Sequence, residues 1–127
     1  LSDPLFAAVE PVVAAWVREH ASGFETYDLP IPDEAEQRRL GLELGLEHDE
    51  VESMLHGVAV DVLRVLAARG VVRTFTAQLG HDQRERLRKA KSPLLRLAAE
   101  REFVSASPEA ADAALAEVPS ALSPHEL

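Results

Sequence analysis

At Ser2-Asp3-Pro4, Ser92-Pro93 and Ser107-Pro108 a helix-capping side chain stands just ahead of a proline. A Ser or Asp side chain accepts N–H groups that the first helical turn leaves unbonded, and proline's fixed φ and missing N–H suit that same turn. The three pairs predict helix starts at Ser2, Ser92 and Ser107. A fourth start is predicted at Asp33, where Glu36 completes the spacing of a capping box, and Gly45 marks its stop. A further helix is predicted from about Asp49 to Arg69, closed by Gly70; at ~1.5 Å per residue it would be on the order of 30 Å long. So many starts and stops within 127 residues leave little chain for anything else. The predicted fold is all-α: a single domain over residues 1–127, a compact bundle of five or six helices arranged around the long helix at about 49–69.

The apolar spacing gives these helices their inner faces. In the first, Leu5, Val9, Val12 and Trp16, with Phe6, Val13 and Val17 beside them, follow the 3.6-residue period of one buried face, and Pro11 predicts a kink. Trp16 and Phe6 read as core. In the long helix Val51, Leu55, Val58, Val62 and Val65 form a stripe that Met54, Leu63 and Leu66 widen, while Gly57 offers a neighbour close approach. Residues 22–32, with Gly23, Pro30 and Pro32, have no period and read as an extended connection tacked down by Phe24, Tyr27, Leu29 and Ile31. Residues 71–78 pull two ways. Val71, Val72, Thr74, Phe75 and Thr76 favour a strand, yet no partner strand is evident. The expectation is a helix from near Thr74 through Lys91, bent at Gly80, with a short β-wing at 71–78 as the alternative. The tail, 120–127, is expected to fray.

Composition removes several function classes. There is no cysteine, so disulfide frameworks, thiolate metal sites and cysteine nucleophiles are excluded. No apolar run approaches the ~18 residues of a membrane span, and Asp3 and Glu10 stand where a signal peptide would be basic. A cytoplasmic location is expected, and Leu1 in place of methionine is read as a trimmed start. A net charge of -9 disfavours nucleic acid and anionic membranes, whose binding depends on cations. The distribution of charge says more than its sum. From Glu25 to Glu52 ten acids face only Arg38 and Arg39. From Arg84 to Arg101 seven bases face only Glu85 and Glu100.

Gly41, Gly45, Leu46, Val51 and Met54 have the spacing of a helix-turn-helix: a small residue, a turn glycine four later, then apolar contacts. Val65-Leu66 through Gly70-Val71-Val72 would then be the exit into a winged hairpin. The segment resembles the general helix-turn-helix pattern, and that resemblance implies a second helix that reads DNA. Asp49, Glu50 and Glu52 oppose it, because they stand where the reading helix would meet phosphate. Arg84, Arg88 and Lys91 recur at helical spacing and could track phosphates, but they complement the acidic block more simply, within one chain or across a dimer.

His48, Glu52 and His56 are spaced by four and share a helical stripe, and imidazoles with a carboxylate suit zinc or iron. No fourth ligand stands at a telling spacing. Asp49, Ser53 and His56 include the residue types of a nucleophilic triad, but Ser53 sits inside a helix without a glycine elbow. No phosphate-cradling glycine loop or dinucleotide fingerprint occurs. The expected function is a non-enzymatic protein-interaction or regulatory module, with no cofactor and no membrane. It meets a protein partner or a second copy through Asp49 and Glu50 on one side, or Arg84, Arg88 and Lys91 on the other. The alternatives are a helix-turn-helix regulator and a metal-binding protein centred on His48, Glu52 and His56.

Overall fold

The computed structural model describes residues 3–127. Its helices start where the capping chemistry places them. Asp3 opens α1 (Pro4–Glu19) by accepting the Leu5 N–H at 2.9 Å; the start expected at Ser2 lies outside the described residues. Asp33 accepts the Glu36 N–H at 3.0 Å and opens α2 (Glu34–Leu44), which Gly45 closes at φ 69°. The long helix α3 (His48–Ala68) follows, and Gly70 after it takes φ 75°. Ser92 and Ser107 cap α5 (Pro93–Ala98) and α6 (Pro108–Glu117) through the Leu95 and Ala110 N–H groups. Between α3 and α5 in sequence, α4 (His81–Arg88) starts at Gly80, which supplies no side-chain cap.

The fold is mostly helical as expected, with six helices among the described residues, but it is not all-α: four short strands are added, β1 (Phe24–Glu25), β2 (Arg73–Thr76, within the alternative β-wing at 71–78), β3 (Phe103–Ala106) and β4 (Ser123–Pro124). They form one antiparallel sheet in the order β1-β3-β2-β4. Arg73–Thr76 is a strand and not the start of a helix, because its β-branched residues find a partner far along the chain. Arg73 stands opposite Ala106, and Phe75 opposite Val104. Helix α4 begins only after the strand has ended. The tail expected to fray instead adds β4 to the far side of β2, and the His125 N–H donates to the Thr74 carbonyl at 3.0 Å. The connection at 22–32 contributes β1, and its Phe24 and Leu29 are buried.

Residues opposite each other in a ladder share a face, so the register sorts the side chains. Phe24, Ser105 and Thr74 lie on one face; Glu25, Val104, Phe75 and Pro124 lie on the other. Phe24 joins an apolar cluster built on Val9, Val13 and Val17 of α1, Leu40 of α2 and Leu55, Val62 and Leu63 of α3. Phe75, Val104 and Ala106 join a second cluster with Leu87 of α4, Leu94 and Leu95 of α5, and Ala111 and Ala114 of α6. The expected bundle around one central helix is thereby corrected. Helix α3 centres only the first cluster, and no residue of α3 enters the second. Inside the sheet the buried hydroxyls of Thr26 and Ser105 satisfy each other at 2.7 Å, which removes the cost of leaving them unpaired.

Candidate functional site

The α2–turn–α3 unit carries the densest set of candidate residues. Gly41 is packed so closely that a β-carbon there would stand 3.1 Å from the Leu46 carbonyl oxygen and 3.4 Å from Val51. The Leu46 N–H returns the chain by donating to the Gly41 carbonyl at 2.9 Å. Gly45 takes the left-handed conformation that a β-carbon disfavours, and Val51 is fully buried. The expected helix-turn-helix spacing is thus a packed turn, with one departure: Met54 is 45% exposed where an inward contact was expected. Gly57 departs too, since a β-carbon there would meet nothing within 4 Å. The unit leads into β2, whose antiparallel partner β3 follows only after α4 and α5, with β1 on the outer side of β3.

A pocket of about 250 Å³ opens between the end of α2 and the start of α3, lined by Gln37, Arg38, Gly41, Leu42, Leu46, His48 and Val51. Leu42 projects at its mouth, 87% exposed. Gln37 is only 7% exposed; its Nε2 donates to the Pro32 carbonyl at 2.7 Å, while its Oε1 has no hydrogen-bond partner. Acids surround this apolar spot. Glu36 and Glu43 hold Arg39 between them, Glu43 at 2.6 Å. The side-chain hydrogen bond from Arg39 keeps the Glu36 carboxyl below its usual range. Glu47, Asp49, Glu50 and Glu52 are exposed along the turn and the first turns of α3. Glu50 also has a structural role, accepting the Glu47 N–H at 3.2 Å to cap the helix.

The expected metal ligands do not converge. His48 Nε2 stands 3.7 Å from Glu52 Oε2, and among the described residues no group of three or more His, Cys, Asp or Glu side chains is placed to hold a metal ion. On a solvated helix face the two neighbours make an exposed i,i+4 pair. Asp49, Glu52, Ser53 and His56 line only a wide, shallow hollow, and Ser53 sits mid-helix.

The basic stripe is also rearranged. Helix α4 ends at Arg88, so Arg84 and Arg88 remain on it while Lys91 belongs to the turn into α5. That turn is tied from two sides. Arg96 donates to the Ala90 and Lys91 carbonyls at 2.7 and 2.8 Å, and the Glu117 carboxylate accepts the Lys91 and Ser92 N–H groups at 2.9 Å each. Those backbone hydrogen bonds hold the Glu117 carboxyl below its ordinary range. Arg88 is committed to Glu85 and, at 2.7 Å, to Glu100, whose carboxyl is lowered by that bond. Among the described residues a single ion pair joins the acidic and basic blocks, Glu25 with Arg101 at 3.3 Å.

Trp16 and Phe6 pack against the first cluster, and Trp16 stacks on His20 with ring centroids 3.7 Å apart. On the sheet, Tyr27 packs edge-on to Phe103, and its hydroxyl meets His125 Nε2 at 2.7 Å. Sequence reasoning missed Gln37 and Leu42. Their signal was present: Gln37 falls on the buried stripe with Leu40 and Gly41, and Leu42 falls off it. Set against protein families, curated proteins and solved structures, the chain matches none.

Proposed function

We propose that this chain is a non-enzymatic protein-interaction module that meets its partner through charged helical faces. The observation that carries the reading is that the two charge blocks remain apart in the folded chain, joined only by Glu25 and Arg101 among the described residues. The other ion pairs of either block lie within it. Exposed charges left unneutralised contribute little to stability but steer and orient association. The exposed first turns of α3 carry Asp49, Glu50 and Glu52, and the α4 side carries Arg84 and Lys91. One chain therefore presents both signs, which suits a protein partner or a second copy better than a polyanion.

Reversing Arg84 and Lys91 to glutamate tests this. Neither forms an ion pair among the described residues, so the helical CD signal should stay intact. Association measured by sedimentation velocity, or its dependence on salt, should change. No change in either would count against the reading.

A second reading, a helix-turn-helix regulator, is favoured by one observation: the α2–turn–α3 unit runs into strand β2, although β2 pairs with β3 from beyond α4 and α5 and not in a hairpin. Its α3 would have to approach phosphates with Asp49, Glu50 and Glu52, which electrostatics opposes. Titrating a labelled duplex of mixed sequence at low salt separates the two. Tight, salt-sensitive binding that is lost on replacing Ser53 or His56 would support the regulator.

A further inference from the structure

We infer that the α2–α3 pocket receives a tryptophan side chain presented by a lysine- or arginine-rich segment of a protein partner; this rests on the interaction reading above. Four properties of the pocket converge on that occupant. Its lining is apolar in the main, from Gly41, Leu42, Leu46 and Val51, with Arg38 and His48 beside Gln37 as its polar part, so the partner's cations must lie outside the pocket, against the acids of α3. At about 250 Å³ it has room for one large side chain, on the order of eight waters at ~30 Å³ each. Its wall includes Gln37, nine-tenths buried, whose Oε1 accepts from nothing; a buried acceptor without a donor carries a desolvation cost that a ligand donor would relieve. The turn beside it exposes Glu47, Asp49, Glu50 and Glu52.

An indole is the side chain that combines a large apolar body with a single N–H donor. The acids select its context. A basic segment lying along the first turns of α3 neutralises them, whereas an acidic one is repelled. Leu42, almost fully exposed at the mouth, covers the outer face of the ring once it is seated. Shielded anchors of this kind carry most of the affinity in peptide recognition, and surrounding charges set orientation and on-rate.

The test is fluorescence anisotropy with a fluorescein-labelled synthetic peptide carrying one tryptophan flanked on both sides by lysines. Companion peptides have phenylalanine or alanine in its place. The tryptophan peptide should bind saturably, and the alanine peptide at least about tenfold more weakly. Phenylalanine keeps the apolar body but not the donor and should lose about fivefold. Leu42→Asp, at a position exposed enough to leave the CD spectrum unchanged, should weaken the tryptophan peptide at least about tenfold. Asp49→Asn with Glu52→Gln should weaken it and flatten its salt dependence. Gln37→Met should bring the tryptophan and phenylalanine peptides to equal affinity.

Equal binding of the tryptophan and alanine peptides would overturn the assignment, as would undiminished binding to Leu42→Asp. A change in the sedimentation of the protein alone on Leu42→Asp would also overturn it, by making a second copy the occupant. If Arg84→Glu with Lys91→Glu alters association while the tryptophan peptide fails to bind, the interaction reading stands and the pocket assignment falls.

Discussion

Gly57 and Gly41 sit on consecutive helices of one turn unit and call for opposite responses to the same substitution. Gly57 lies inside α3, and a β-carbon there would reach no atom within 4 Å. Its φ is not positive, so alanine fits the backbone and removes conformational freedom from the unfolded chain. Gly57→Ala should stabilise the protein by roughly 0.5–1 kcal/mol. Gly41→Ala would bring a β-carbon to 3.1 Å from the Leu46 carbonyl oxygen, a backbone atom that cannot rotate away. It should destabilise by roughly 1–3 kcal/mol. Urea unfolding of both variants checks the pair, and a stabilising Gly41→Ala would mean that the turn is looser than its packing implies. The sequence made the tightness at Gly41 readable, because a small residue four before a turn glycine has few other uses. At Gly57 the same reasoning erred: a glycine in a helix is permission for close approach and does not by itself supply a neighbour. Periodicity could have placed Gln37 on the buried stripe and Leu42 off it, but the pocket they line was not legible, since it arises from how two helices meet and neither helix contains it.

Among elements, the junction of α4 and α5 depends on a side chain from α6. The Glu117 carboxylate accepts two backbone N–H groups, from Lys91 and Ser92, and its carboxyl is lowered by them. A carboxyl depressed in the folded state stabilises above its unfolded value, ~4.3, and that contribution is lost as pH falls through the folded value. Urea midpoints of the natural chain and Glu117→Gln should therefore differ by a constant amount above about pH 5 and converge below ~4.3. The carboxyls of Glu36 and Glu100, also lowered, titrate in both proteins and cancel in the difference. A gap that stays constant to pH 3 would show that the bond acts through shape and not charge. Helix ends of this kind were legible where Ser or Asp supplies the cap, and not at α3, where Glu47 and Glu50 do. Asp33, Ser92 and Ser107 all bond as their spacing implies. The strands were not, because Arg73–Thr76 pairs with Phe103–Ala106 across two intervening helices, and strand preference is decided by such partners more than by the residues themselves. The same misreading extended α4 and placed Lys91 on a stripe that stops at Arg88.

Across the whole molecule, the sheet is what makes two apolar clusters into one structure. Strand β3 lies between β1 and β2, and its register sends Ser105 toward Phe24 and Thr74 and sends Val104 toward Phe75. Phe24 belongs to the α1–α3 cluster, while Val104 and Phe75 belong to the α4–α6 cluster. Neither cluster can lose its packing without disturbing a strand that the other needs, so unfolding should be one transition. The chain has a single tryptophan, Trp16, packed against the first cluster, which makes its fluorescence a reporter for that side alone, while far-UV CD reports helices on both. Leu63→Ala damages the first cluster and Leu95→Ala the second; both leucines are fully buried, and each substitution should cost roughly 2–5 kcal/mol. That is a large share of the ~5–15 kcal/mol that holds an ordinary domain folded. The discriminating measurement is Leu95→Ala followed by Trp16 fluorescence. The fluorescence midpoint should fall together with the CD midpoint, although Leu95 is in the cluster that excludes Trp16. If the fluorescence midpoint stays in place while part of the CD signal is lost early, the α4–α6 side unfolds on its own, and the sheet is a contact between two units and not the core of one.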